Sequence, residues 1–489
     1  MIRNGKDIAD GTVISTDVCI IGTGPAGVTA AWLLQKAGLK VTLIEGSRDF
    51  GADWKASWPD KVKLYNGTAD GLFATNEREF LILPYVGNSG GAWERERVYG
   101  GTSAHWGGQS RPLDPITFEA RPGFPGWPIS REELEPYYVA AAEFCKLYSA
   151  DFSADYWAKV LNAEVPRLDG FDAEMYQFIG PDYLNFSTRT FDGTTIGDSA
   201  ADVILNASLL NIDHAQGSVR SVSVASMNDQ SQKATAFTIQ AEVFVLACGA
   251  VANARQLLLS NAGNEHDQVG RYFSCHPLSQ NVRIYAYDFL SSGEARLMNG
   301  QMLVGARDQD QWRDPHGVTV SGRFSPTADQ QRALGIGSCW FWASSGQYYF
   351  EMAPNPESRV TLAETTDPVF QQRQTHITWQ LSDLDERTFT QTTQLFKAAV
   401  AKRGGTTSIP SWDDVKKSLV VNGHHIGTTR MSSDPATGVV DKNLKVHSLD
   451  NLYVAGASVF ASAGVSNPTF SIITLSIRLA EHLGKALSA

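Results

Sequence analysis

Apolar residues first gather in the stretch "VCIIGTGPAGVTAAWLLQKAGLKVTLIE", residues 18–45. The unbroken run at 18–21 suits a strand buried on both faces, as in parallel sheets. A glycine-rich turn, a helical pattern and a second apolar run follow, so the order predicts strand, tight turn, helix, strand. Two distant segments repeat the strand-to-glycine step. "AEVFVLACGAVANARQLLLS" (241–260) predicts a buried strand ending at Gly249 and a helix after it, and "LDNLYVAGAS" (449–458) predicts a strand ending at Gly456. Between them, residues 200–247 alternate apolar and polar positions, as in "DVILNASLLN" and "SVRSVSVAS", which predicts short antiparallel strands. From 276 to 420 aromatic and polar residues alternate, as in "SCWFWASSGQYYFEM" and "QTHITWQLSD", the pattern of a half-exposed antiparallel sheet. Near the end, "NPTFSIITLSIRLAEHL" predicts a helix with Asn467 at the N-cap, Pro468 at the first helical position, and Phe470, Ile473, Ile477 and Ala480 facing inward.

The first glycine turn carries chemistry. Gly22, Gly24 and Gly27 follow the order G-x-G-x-x-G at the end of a strand and the start of a helix. The first glycine permits the turn, the second lets backbone approach a pyrophosphate, and the third lets helix and strand pack closely. The helix start offers free N–H groups to phosphates. Glu45, eighteen residues after Gly27, ends the second strand, where an acid can accept hydrogen bonds from ribose hydroxyls. An NAD-only dehydrogenase needs no further strand-and-glycine elements far down the chain. Their presence favours the longer nucleotide FAD. The glycine-rich "VYGGTSAHWGGQSRPLDP" (98–115) reads as a loop that comes close to a ligand. The expected architecture is α/β: a discontinuous Rossmann-like nucleotide-binding domain from 1–275 and 421–489, and an antiparallel-sheet substrate domain at 276–420.

Composition narrows the classes. With 43% apolar and 19% charged residues the chain can bury a sizeable core. A net charge of −11 argues against nucleic acid as a partner, since phosphate binding needs a basic footprint. The five cysteines are odd in number and form no Cys-x-x-Cys pair, so neither a disulfide framework nor a metal set is expected. Cys19 and Cys248 read as small core residues. No basic-then-apolar leader and no apolar run of membrane-spanning length is visible, which leaves a soluble cytoplasmic protein as the default expectation.

"GHHIGTTRM", residues 423–431, sets two of the chain's ten histidines side by side. Taken alone, each reads as a hydrogen-bonded core residue. Together with the other motifs they carry a resemblance. The chain resembles the glucose–methanol–choline (GMC) flavin oxidoreductases nearly from end to end. "GTGPAG" with Glu45 is similar to the family's FAD fingerprint, "GGTSAHWGG" to its flavin-embracing loop, "ACGAVANARQLLLS" to its second signature and "PNPESRVTLAETTDP" to a segment of its substrate sheet. "HHIGTTRM" and "GVSNPT" resemble its catalytic ending, H-x-x-G-T-x-R-M followed by N-P. The motifs stand nearest to the pyranose 2-oxidase and bacterial glycoside 3-oxidase branches.

The resemblance implies one FAD, held by Gly22, Gly24, Gly27, Glu45, Gly101, Thr102, His105, Trp106, Gly456, Ala457, Pro468 and Thr469. His105 in "SAHW" resembles a histidine that bears the flavin covalently in one branch and stays unlinked in others, and both forms are open here. It implies His424, not His425, as the catalytic base and Asn467 as its partner. Those residue types suit alcohol oxidation: an imidazole near its ordinary pKa of ~6.5 takes the O–H proton, and the hydride goes to flavin N5. An amide N–H steadies the developing alkoxide. The start of the last helix also favours negative charge on the flavin. The expected reaction is oxidation of a secondary hydroxyl of a sugar or glycoside to a ketone, the 3-position slightly ahead of the 2-position, with O2 or another acceptor taking the electrons. Trp340, Trp342, Tyr348, Tyr349 and Trp379 are the candidate sugar-stacking residues. Two departures from the family pattern, Cys275 ahead of "HP" and a missing glycine near Phe370, are expected beside the substrate layer. The alternatives are an alcohol oxidase of the same fold acting on a sterol, choline-like or aryl alcohol, and a catalytically silent flavin protein. The presence of both His424 and Asn467 argues against the last.

Overall fold

The computed structural model of the chain describes residues 1–47, 73–74, 98–104, 106–228, 232–279, 282–299, 301–303, 318–343, 345–367, 369–421 and 423–488. Strand Val13–Ile21 runs into the glycine turn, and helix Pro25–Lys36 and strand Val41–Ile44 follow as the pattern predicts. All four residues of the second strand are buried, as a parallel strand covered on both faces requires.

Lys233–Leu246 is the strand on which the sheet is assembled. It pairs in parallel with Val13–Ile21 and, near its end, with Leu452–Val454, so that Leu246 stands opposite both Ile21 and Val454. Three strands from distant parts of the chain thus end together. Asp202–Leu205 joins the other side in parallel, between Val41–Ile44 and Ile2–Asn4. The alternation at 200–247 predicts antiparallel pairing throughout, and only Ser208–Ala215, Ser218–Met227 and the first half of Lys233–Leu246 follow it. The chain breaks at Asn206, whose φ is 55°, and separates the two arrangements. Helix Pro468–Leu487 packs against helix Pro25–Lys36 over this sheet. Phe470, Ile473 and Ala480 are buried as expected, whereas Ile477 is half-buried and Leu475, Leu479 and Leu483 complete the apolar stripe.

A second sheet is antiparallel, in the order Tyr348–Phe350, Cys339–Phe341, Val318–Pro326, Phe171–Phe178, Gln109–Ser110, with Gln301–Leu303 beside Val318–Pro326. Two of its strands, Phe171–Phe178 and Gln109–Ser110, lie outside 276–420. Conversely, Val360 and Ile377, from strands Arg359–Thr366 and Arg373–Thr378, sit in the core of the first sheet. The division expected at 275 and 420 therefore does not separate the two cores. Pairing depends on complementary edges in space and is indifferent to distance along the chain.

Each strand of the second sheet alternates its faces. Phe171, Phe324, Phe341, Tyr348 and Phe350 pack on Phe389 and Phe396 of helix Asp383–Lys402. The opposite face carries Glu174, Tyr176, Arg323, Trp340 and Tyr349, fixed there by the register of Arg323 with Glu174 and Trp340 with Tyr349. Among the described residues no helix is long and apolar enough to cross a membrane.

The glycine turn shows how tight this assembly is. A Cβ at Gly27 would lie 1.9 Å from the Gly22 carbonyl oxygen, whereas a Cβ at Gly24 would meet nothing within 4 Å. Overpacking of this kind costs ~1–3 kcal/mol. Gly27→Ala is therefore expected to lower the midpoint of thermal unfolding of the ligand-free protein, while Gly24→Ala leaves it unchanged. Equal midpoints for the two variants would contradict the close helix–strand contact.

Candidate active site

The carboxyl ends of the three converging strands open onto a cavity of about 580 Å³. Gly22, Gly24, Glu45, Gly101, Thr102, Trp106, Gly456, Ala457, Pro468 and Thr469, all predicted from sequence, line it together with His424 and Asn467. Gly27 does not; it packs against Gly22, in keeping with its predicted role in helix–strand contact. His105 lies outside the described residues.

The cavity's chemistry suits a dinucleotide. Helix Pro25–Lys36 begins at Gly24 and helix Pro468–Leu487 at Asn467, and neither has a side-chain cap. Their first N–H groups remain available, and their positive ends favour phosphate or another anion. Gly24, Gly249 and Gly456 line the cavity, and a Cβ at any of them would meet no protein atom within 4 Å, so their bareness leaves room for a ligand. Glu45 is buried; its Oε2 accepts from the Thr23 hydroxyl at 2.7 Å and from the Thr23 N–H at 3.2 Å, and its Oε1 from Ser47 N–H. A carboxylate has lone pairs beyond these, so it can still receive ribose hydroxyls. Thr23 also receives the Gly100 N–H at 3.1 Å, which ties the 98–104 loop to the turn. A Cβ at Gly101 would approach the Cα of Gly24 to 3.0 Å, so this loop needs its glycine.

Phe370 apart, the far end of the cavity is built by residues that the sequence did not mark. Leu209, Gln256, Phe370 and Gln372 line it. Asp367 folds the last two into place, its carboxylate accepting the N–H groups of Val369, Phe370 and Gln372. Phe370, expected beside the substrate layer, thus belongs to the nucleotide side. Cys248, expected in the core, is half-buried on the cavity wall. Cys19 is a core residue as expected.

At the other end stand the histidines. His424 Nε2 lies 3.2 Å from Asn467 Nδ2. Asn467 occupies the N-cap position, but its side chain turns to His424 instead of capping the helix. On its other side His424 Nδ1 is 2.9 Å from Nδ1 of His276, a fully buried residue in the "SCHP" segment. Sequence reasoning passed over His276 in favour of its neighbour Cys275, which is buried against Met352. Burial, then the neighbouring His276 and His425, hold the pKa of His424 well below the ordinary 6.5, so it is not the near-neutral titrating group expected from sequence. Burial likewise lowers His276 to about 4. His425 packs its ring 5.4 Å from that of Phe273 and also lines the cavity.

The second sheet covers this end. Tyr349 places its ring 6.0 Å from that of His424 and 4.6 Å from Trp340, whose indole N–H donates to the Val465 carbonyl at 3.1 Å. Trp342 stacks under the Arg323 guanidinium at 3.7 Å. Of the other candidate aromatic residues, Tyr348 lies on the opposite face of the sheet and Trp379 donates to Met352 Sδ. A single cavity therefore runs from the glycine turn at 22–24 to a buried imidazole beside an amide.

The chain is similar to known proteins. Residues 354–476 match the GMC oxidoreductase family and residues 20–76 an NAD(P)-binding Rossmann-like domain. The fructose dehydrogenase large subunit of Gluconobacter japonicus is 24% identical, aligned over 96% of this chain and 98% of its own. The 2-methyl-1,2-propanediol dehydrogenase of Mycolicibacterium austroafricanum is 22% identical over 97% of this chain and 96% of its own. The crystal structure of pyridoxine 4-oxidase from Mesorbium loti superimposes with a TM-score of 0.58 at 16% identity, over 96% of this chain and 99% of that one. Residues 354–476 thus carry a GMC oxidoreductase C-terminal domain, and with the cavity that joins the two matched regions the chain is an FAD-dependent oxidoreductase acting on alcohols.

Proposed function

We propose that the enzyme oxidises a secondary hydroxyl of a pyranose or glycoside to a ketone, the 3-position ahead of the 2-position, with His424 as base and Asn467 as its partner. The observation that carries the reading is the pair itself: His424 Nε2 and Asn467 Nδ2, 3.2 Å apart, open onto the same cavity as the nucleotide-binding glycines. FAD supplies the hydride acceptor when bound. The protein's share is to hold the hydroxyl, take its proton and steady the alkoxide. His424 takes the proton at Nε2, and the Asn467 N–H faces the oxygen that becomes negative. The buried Oδ1 of Asn467 accepts no hydrogen bond from the described residues, so the amide retains a second way to orient a substrate hydroxyl.

The sugar assignment is supported by the aromatic ring of Tyr349 beside His424 and by the likeness to a fructose dehydrogenase. The likeness to a diol dehydrogenase keeps a simpler alcohol as the second reading. A sterol, choline-like or aryl alcohol falls under the same chemistry. O2 or another acceptor would take the electrons from the reduced flavin, in a cytoplasmic setting.

His424→Ala is expected to slow anaerobic bleaching of the bound flavin by substrate ~10²–10⁴-fold, the usual share of a general base, with the yellow colour retained. Asn467→Ala should slow it less and His425→Ala scarcely at all. A crippled His425→Ala with near-normal His424→Ala would reverse the assignment.

The neutral imidazole is the active form, so the rate is lost as pH falls through the pKa of His424. Because burial holds that pKa well below 6.5, the limiting bleaching rate should be flat from 6.5 upward and fall only in more acid solution. A break at or above 6.5 would argue against a desolvated base.

A panel of sugars, glycosides, sterols, choline analogues and aryl alcohols tests the substrate. Bleaching within seconds by a pyranose or glycoside is the expected result. Bleaching by the other alcohols alone would remove the sugar assignment and leave only the alcohol chemistry.

A further inference from the structure

His424 is held from behind by a chain of hydrogen bonds whose direction can be worked out from chemistry alone. The chain starts at the Gly464 carbonyl, 2.9 Å from His276 Nε2. A carbonyl oxygen only accepts, so His276 Nε2 carries a proton. A neutral imidazole has one N–H, so His276 Nδ1 is then an acceptor. His276 Nδ1 and His424 Nδ1 stand 2.9 Å apart, and the proton between them must belong to His424. Neutral His424 therefore has its lone pair on Nε2, the nitrogen that faces Asn467. The amide of Asn467 cannot decide this point by itself, because its oxygen and nitrogen are interchangeable by a flip. The carbonyl can.

We propose that His276 is a positioning residue that fixes His424 as the Nδ1–H tautomer and so presents its Nε2 lone pair to the substrate hydroxyl. This rests on the reading of His424 as the base. In the proton step the substrate O–H bond breaks and an Nε2–H bond forms. His424 becomes imidazolium while its Nδ1–H continues to donate to His276. The acceptor behind the base is an uncharged ring. A carboxylate there would raise the basicity of His424 and keep it protonated at neutral pH; a second imidazole orients it without charging it.

The groups around His276 fit this role. Tyr349 stacks 6.2 Å from its ring, and the Cys275 thiol and Met352 lie next to it in the chain and the core. The nearest acid in the chain of contacts is Glu351, fully buried, which accepts the Gly464 N–H at 2.7 Å and the Ser338 N–H at 3.1 Å. Arg121 lies 3.6 Å from Oε2, the oxygen that accepts the Ser338 N–H. Glu351 thus grips the turn whose carbonyl holds His276 instead of bonding to His276 itself. Gly464 adopts φ 58°, and a Cβ there would meet Leu113 and Thr117 at 2.9 Å, so this turn needs its glycine.

The test uses the flavin-loaded enzyme labelled with ¹⁵N-histidine. The wild type should show His424 protonated at Nδ1 and bare at Nε2; protonation at Nε2 in neutral solution would overturn the proposal without any variant. His276→Asn keeps an acceptor near the Nδ1 position, and His276→Leu removes it at similar volume. The Asn variant should hold the tautomer and slow anaerobic bleaching less than about 10-fold. The Leu variant should show mixed tautomers and slow it by at least about 10²-fold, the lower end of a general base's share, with substrate affinity little changed. Equal losses in the two variants, or an unchanged tautomer in His276→Leu, would mean that His276 is only structural. His424→Ala separates the two ideas: near-normal bleaching there removes the base assignment, while the tautomer is still read directly from the wild-type spectrum.

Discussion

Parallel pairing along Lys233–Leu246 is the constraint on which the rest of the molecule depends. Leu246 faces Ile21 on one side and Val454 on the other. Because all three strands run the same way, their carboxyl ends and the turns after them come together. That single register brings the glycine turn at 22–27, the Gly249 turn and the Gly456 turn around one cavity. It also brings helix Pro468–Leu487 back over helix Pro25–Lys36, so that the starts of both helices point into that cavity. The nucleotide end and the reactive end are two consequences of the same hydrogen-bond ladder.

The reactive end is governed by desolvation. His424 and His276 are buried together, and burial is the largest influence lowering the pKa of each. Of two imidazoles in apolar surroundings, neither is easily charged, which leaves their orientation to hydrogen bonds alone. The charged side chains nearby are held one step away. Glu351 is occupied by backbone N–H groups, and Arg323 lies between aromatic rings of Tyr176 and Trp340 on the covering sheet.

That covering sheet shows how one pattern serves two purposes. Its period of two sends Phe324, Phe341 and Tyr348 into the core against helix Asp383–Lys402 and sends Arg323, Trp340 and Tyr349 toward the reactive end. Adjacent residues such as Tyr348 and Tyr349 therefore have different surroundings: one packs into the core and the other stands beside His424 and His276.

Sequence alone determined the local and self-contained features. The glycine turn, its flanking strand and helix, and the helix start at Asn467 and Pro468 are legible because turns and helices are set by residues close in the chain, and such local motifs also carry the resemblance to a flavin family. The alternation of the second sheet was legible for the same reason. Only the tertiary structure decided which distant groups meet. It placed His276 behind His424, turned the Asn467 side chain from its helix toward the imidazole, brought strand Phe171–Phe178 into a sheet more than a hundred residues away, and set Phe370 at the nucleotide end. The pKa of His424 belongs to the same class, since burial is a property of the folded whole. Strand partners, the burial of a titratable group and the direction of a side chain depend on what stands opposite in space, and a one-dimensional pattern carries no record of that.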